Sequence, residues 1–214
     1  KAGKTLMSAQ VLRFFPAYVR LIEAVHGGTL GAPRHAIFRR RCAAPAWSIW
    51  MTDKSASGGG VFDLLIHDID MALVCFGLPR AVSATGHEDL AAGIDMMTAE
   101  LHYESGFSVT ITGGWHLPSA YPFSMEYTVV GENAAMEYST AGRPPHWYGR
   151  GEDHVMELPD VDGYRGEIEY FVECCRTGAR PLRCTPESSA AAVKLARLLE
   201  EARMRKGIIL PCLL

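Results

Sequence analysis

The segment SGGGVFDLLIHDIDMALVCFG, residues 57–77, carries the residue types that proteins use to move protons. On a helix turning about 100° per residue, with Asp63 at zero, His67 falls near about +40° and Asp70 near about −20°. The three form one narrow polar stripe at i, i+4 and i+7. Leu64, Leu65, Ile69, Met71 and Phe76 make most of the remaining surface apolar. A helix this apolar is expected to be buried, and a buried charge without a partner is expensive. The stripe must therefore meet a cleft or a counter-charge. Asp63 beside His67 suits general-base chemistry, because a carboxylate fixes the imidazole tautomer and stabilises the imidazolium. Asp68 points away from the stripe and reads as a lone solvated carboxylate.

Three readings stay open on spacing alone: an acid–base pair, a structural Asp–His hydrogen bond, and a metal site built from Asp63, His67 and Asp70. Against the metal, His102, His116, His146 and His154 are dispersed and no second His/Cys cluster has ligand spacing, so no metal is expected. No G-x-S-x-G elbow is present, which argues against a serine hydrolase. Gly58–Gly60 let a ligand or another backbone approach closely. Free N–H groups at the helix start would favour an anionic Asp63.

The elements that must position this helix follow from periodicity and punctuation. Residues 5–11 read as a short buried strand. Pro16 opens a helix that Gly27-Gly28 ends. PRHAIFRRRC alternates as a strand, which sends Arg40 to the opposite face from Arg39 and Arg41, so no three-arginine patch toward an anionic substrate is assumed. Trp47 and Trp50 follow in a loop. Strands are expected over 80–88, 96–103, 107–115, 125–130 and 134–138, separated by short turns that favour antiparallel neighbours. AGRPPHWYGRGEDH reads as a loop, 163–177 and 186–206 as helices, and GIILP as a last strand. The sum is an α+β fold: a large, open, mostly antiparallel sheet of about five or six strands with helices on one face. Apolar residues of both parities in DMMTAELHY and FSVTITGGW suggest a sheet covered on both sides, hence an oligomer.

Composition excludes other classes. The 214 residues carry a net charge of −3 and 48% hydrophobic residues, enough for a sizeable core. No basic excess points to nucleic acid and no polybasic block to anionic membrane. No long uncharged apolar run suggests a membrane span, and the first residues lack a signal peptide's apolar core. The six cysteines contain no C-x-x-C and read as reduced thiols of a cytoplasmic protein. The chain opens on Lys1 in what reads as the end of one helix leading into a strand, as a piece of something longer would.

SGGGVFDLLIHDIDMALVCFG resembles the signature of the Gfo/Idh/MocA oxidoreductases, a Gly-Gly-rich start followed by D-x-G-x-H-x-x-D and a helix ending in F-G. KAGKTLMSAQVLRFFPAYVRLIEAVHGGTLG is similar to the segment joining their two domains. GYRGEIEYFVECCRTGARPLRCTPESSAAAVKLARLLEEARMRKGIILP is similar to their C-terminal helices and last strand. The resemblance implies an NAD- or NADP-dependent enzyme acting on a sugar, cyclitol or related polyol. It implies that residues 1–12 are the last strand and linker of a Rossmann domain and that 13–214 form the substrate-binding and dimerisation domain. Neither the G-x-G-x-x-G fingerprint nor the family's E-K-P motif is in this sequence, so the chain alone is expected to be inactive, with the dinucleotide held mainly by the other domain.

By position, Asp63 and His67 match the catalytic Asp and His, and Asp70 the second Asp, a structural one. The resemblance makes Gln10 and Arg13 cofactor or substrate contacts, or polar contacts between domains. It makes Trp47 and Trp50 substrate-pocket walls alongside Asp63 and His67, or ordinary packing. Leu65 stands where the family pattern has Gly. A homodimer or homotetramer through the open sheet face is implied. Some relatives have lost catalysis and sense ligands, and that alternative is kept beside the metal-dependent lyase or hydrolase.

Overall fold

The computed structural model describes residues 3–47 and 49–214. Two turns of sequence punctuation start its helices. Pro16 occupies the first turn of α1 (Pro16–His26), and the Thr185 side chain accepts from Ser188 N–H ahead of α5 (Pro186–Met204). Between them lie a single turn, α2 (Lys54–Ser57), then α3 (Ile66–Phe76) and α4 (Gly163–Thr177).

Among the described residues nine strands form one sheet: β1 (Pro33–Cys42), β2 (Ala81–Asp89), β3 (Ile94–His102), β4 (Ser108–Trp115), β5 (Ser124–Gly131), β6 (Ala135–Ser139), β7 (Arg143–Tyr148), β8 (Asp153–Val155) and β9 (Leu210–Pro211). Their order is β8-β7-β6-β5-β1-β4-β3-β2-β9. Every pairing is antiparallel except β1 with β4, so the mostly antiparallel open sheet is observed with more strands than expected.

Inward residues of β1, β3, β4 and β5, among them Phe38, Met97, Leu101, Ile111 and Tyr127, join Tyr18 and Leu21 of α1, Ile69 of α3 and Leu195 and Leu199 of α5 in one core. Strict alternation puts Ala36, Phe38 and Arg40 into this layer. The second face of the sheet carries a polar ladder in which Thr98 and Thr112 share a hydrogen bond of 2.7 Å, and Thr110 donates to Glu100 at 2.6 Å. No described helix is long and apolar enough to cross a membrane.

Two expectations are corrected. Residues 5–10 form no strand: one backbone bond, from Ser8 N–H to Cys184 O at 3.4 Å, ties the stretch down, and it runs into a 3-10 turn, Val11–Arg13. Its neighbour is the turn Leu182–Cys184, which offers no ladder to extend. The presumed loop AGRPPHWYGRGEDH forms β7 and β8. Pro144 and Pro145 lack the N–H that a central strand needs, and they sit near the outer edge, where the register with β6 shifts between Glu137 and Ser139.

Candidate active site

The expected helix over 57–77 is built in two parts. Val61–Leu65 is a π-helical turn that runs directly into α3. Such a turn carries an extra residue per winding and recurs at functional sites. Gly58 and Gly59 precede it with φ of 76° and 78°. A Cβ on Gly59 would lie 2.4 Å from Asp95 Oδ2, and one on Gly60 2.9 Å from the Asp95 carbonyl. The glycines therefore let the helix start press against β3. Asp95, itself buried and paired with Arg203 of α5, accepts from Val61 N–H at 3.4 Å. The helix-start amide is thus turned to Asp95, and what dominates at Asp63 is burial, which pushes its carboxyl above the ordinary carboxylate range.

Two of the helix carboxylates, Asp68 and Asp70, are matched across to other elements. Asp68 is fully buried and not solvated as expected: its two oxygens accept from Arg40 Nε at 2.8 Å and Nη2 at 3.1 Å. Burial opposes the charge on Arg40 and Asp68 more than offsets it, so the guanidinium is held protonated. The physical reason for the correction is that α3 is packed on more than one side, and the inward parity of β1 delivers a cation to the flank opposite the stripe. Asp70 anchors the stripe: Arg13 donates to it from Nε at 2.9 Å and Nη2 at 2.6 Å. Arg13 also donates from Nη1 to Arg183 O and Ser188 Oγ. Arg39 and Arg41 lie on the other sheet face, both bonded to Glu126.

Asp63 and His67 share the wall of a cleft of about 410 Å³, with Arg40, Phe15, Phe123 and Tyr164 around them. The expected Asp63–His67 hydrogen bond is not made at Nδ1, which is buried and has no partner. Asp63 lies instead beside Trp115 of β4, whose nearby indole offsets part of the burial effect. Burial first, and the positive charge of Arg40 second, hold the His67 pKa down to about 4. A neutral imidazole beside a cleft is a proton acceptor, and its buried, unsatisfied Nδ1 leaves a hydrogen bond for a ring flip to complete. Leu65 is fully buried, so the departure from the family pattern adds to the core.

Gln10 is buried in the approach to Val11 and does not line this cleft; Trp47, on its loop, and Trp50, in the 3-10 turn Ile49–Thr52 and not in a loop as expected, are 75% and 50% exposed, also outside it. Asp70 is occupied by Arg13, and among the described residues no group of three or more His, Cys, Asp or Glu could hold a metal ion. Sequence reasoning missed Asp95, Arg203, Trp115, Phe123 and Tyr164. The only local signal was the run of glycines, which demanded a close neighbour without naming it.

Residues 18–137 match the GFO/IDH/MocA C-terminal domain. The D-xylose 1-dehydrogenase (NADP(+)) 2 of Haloferax volcanii is 27% identical over 208 residues, covering 94% of this chain and 63% of the relative. The trans-1,2-dihydrobenzene-1,2-diol dehydrogenase of Mus musculus is 30% identical over 224 residues, covering 98% of this chain and 64% of the relative. The crystal structure of aldose-aldose oxidoreductase from Caulobacter crescentus complexed with glycerol superposes with a TM-score of 0.85 at 19% identity, over 99% of this chain and 65% of that one. The chain thus spans less than two thirds of the length of these relatives, and the solved structure speaks to the fold alone. The match over 18–137, more than half of the chain, establishes that the chain belongs to the GFO/IDH/MocA family, in its C-terminal domain.

Proposed function

We propose that this chain is the substrate-binding, catalytic-histidine part of an NAD- or NADP-dependent dehydrogenase that oxidises a hydroxyl of a sugar, cyclitol or related polyol, or reduces the corresponding ketone. The observation that carries the reading is His67, a neutral imidazole with a buried, unpartnered Nδ1 beside Asp63 on the wall of the cleft. That donor set fits a nicotinamide-linked oxidation, which needs a group to take the proton of the alcohol. A bound nicotinamide dinucleotide supplies the hydride acceptor.

His67 accepts the hydroxyl proton at a ring nitrogen. Asp63 accepts a hydrogen bond from the substrate and keeps its hydroxyl turned to the imidazole. Phe15, Phe123 and Tyr164 exclude water from one side. Arg13 works behind the site, holding α3 in place through Asp70. Gln10 keeps a place as a contact to the cofactor-bearing part of a longer protein, and the exposed Trp47 and Trp50 as groups that such a part would cover. The names of the relatives, dehydrogenases of a sugar and of a diol, support the substrate class. A homodimer or homotetramer through the polar open face of the sheet, and a cytoplasmic location, complete the proposal; the six unpaired cysteines agree with the latter.

The missing Asp63–His67 bond favours one second reading, a ligand-sensing relative that keeps the cleft without turnover. NAD(P)-linked oxidation of a polyol panel by the longest natural protein containing this chain decides between them. Wild type should turn over. His67→Ala should lower kcat by about 10²–10⁴-fold with KM little changed. Turnover unaffected by the substitution would refute the assignment, and a wild type that binds polyol without oxidising it would favour the sensor.

A further inference from the structure

Proton transfer at Asp63 and His67 requires the backbone that carries them to be fixed, because a displacement of about 1 Å at a reacting group can cost about 100-fold in rate. The two ion pairs that anchor α3 sit at Asp68 and Asp70, both later in the chain than His67. Asp63 lies on the other side of His67, inside the π-helical turn Val61–Leu65. Such a winding is rare and gives its residues a different angular step from the α-helix that follows, so the facing of Asp63 relative to His67 depends on the turn being held.

The side chain that holds it is Asp95. Its carboxylate is fully buried and divided between two partners: Oδ1 accepts from Arg203 Nη1, and Oδ2 accepts from Val61 N–H, the first amide of the turn. A Cβ on Gly60 would lie 2.9 Å from the Asp95 carbonyl and 3.2 Å from the Trp115 ring, so the start of the turn is wedged between the two. Trp115 is the β4 partner of Asp95, and its indole lies beside Asp63. Asp95 thus reaches Asp63 by two routes, through the backbone of the turn and through Trp115. Arg203 in turn fixes Asp95, donating also to the Met96 carbonyl at 3.3 Å and to Glu88 at 2.7 Å. A buried ion pair is often no more stabilising than apolar residues of the same volume, so stability by itself does not account for one at this place.

Resting on the dehydrogenase reading above, we propose that Asp95, backed by Arg203, is a positioning residue for the proton-transfer step: it pins the π-helical turn and the strand carrying Trp115 so that Asp63 faces the cleft beside His67. Neither Asp95 nor Arg203 lines the cleft. Asp95→Asn keeps the side-chain volume and leaves Arg203 its bonds to Glu88 and Met96, so the fold should survive the substitution.

The test compares Asp95→Asn with Glu88→Gln: each removes a charge facing Arg203, but Asp95 alone touches the turn. In the longest natural protein containing this chain, Asp95→Asn should lower kcat for NAD(P)-linked polyol oxidation by about 10–100-fold with KM little changed, and Glu88→Gln by less than about twofold. In a His67→Ala background Asp95→Asn should lower kcat no further, because no imidazole is left to serve. Equal losses in both backgrounds, or equal losses from the two substitutions, would mark a contribution to stability alone and overturn the proposal. In this chain, amide hydrogen exchange at Val61 should quicken at least about tenfold in Asp95→Asn and stay unchanged in Glu88→Gln. Unchanged exchange in Asp95→Asn would overturn the pinning of the turn. A wild type without turnover would overturn the dehydrogenase reading, and the exchange measurement would still decide whether Asp95 pins the turn.

Discussion

Acidification from pH 7 to pH 5 should cost this chain about 2 kcal/mol of the stability that His67 contributes. Burial, with Arg40 adding to it, lowers the His67 pKa to about 4. An unfolded imidazole titrates near about 6.5. Because the folded state resists the proton that the unfolded state accepts, the contribution is fully present above about pH 6.5 and drains away as pH falls toward about 4. Over the whole window it amounts to about 3 kcal/mol, and by pH 5 somewhat more than half is gone. Asp63, Asp68 and Asp70 work the other way: burial raises each carboxyl, so acid favours their folded forms. The comparison that isolates the histidine is urea unfolding of wild type and His67→Gln at pH 7, 6 and 5. The wild type should lose about 2 kcal/mol more than the variant between the extremes. Parallel pH profiles, within about 0.5 kcal/mol, would refute the claim that His67 is held neutral by its surroundings. Nuclear magnetic resonance titration of the imidazole offers an independent reading, with the midpoint well below about 6.5.

Two further outcomes follow from the same contacts. Arg40→Ala should cost about 3–5 kcal/mol in urea unfolding by leaving Asp68 unpaired, and Arg40→Met with Asp68→Leu should recover most of that; a small loss in the single variant would contradict the buried pair. Gly59→Ala should cost about 1–3 kcal/mol, because it forces an L side chain into a left-handed backbone and toward Asp95 Oδ2, and unchanged thermal unfolding would contradict the close approach.

What could be read ahead of the fold was whatever depends on near neighbours in the chain. The i, i+4 spacing put Asp63 and His67 on one side of a helix, and both line the cleft. Alternation in PRHAIFRRRC separated Arg40 from Arg39 and Arg41, and the strand keeps that separation. The capping residues of α1 and the N-terminus of α5 were equally visible, as was α4 over 163–177. The strand expected at 5–11 failed because an extended segment becomes a strand only beside another edge, and β7 was hidden because its prolines are tolerated near a sheet edge that local sequence does not reveal.

Sequence by itself determined the chemistry available to this protein: a helix too apolar to be anywhere but buried, bearing an imidazole and a carboxylate that burial obliges to find partners. Tertiary structure alone decided which partners. It turned Asp68 from a supposed surface charge into the buried mate of Arg40, gave Asp70 to Arg13, set Asp63 beside Trp115 and not on the Nδ1 of His67, and placed Phe123 and Tyr164 at the cleft. A helical wheel orders residues around one axis, whereas the free energy of a buried charge depends on the groups that other strands and helices bring within a few ångströms of it.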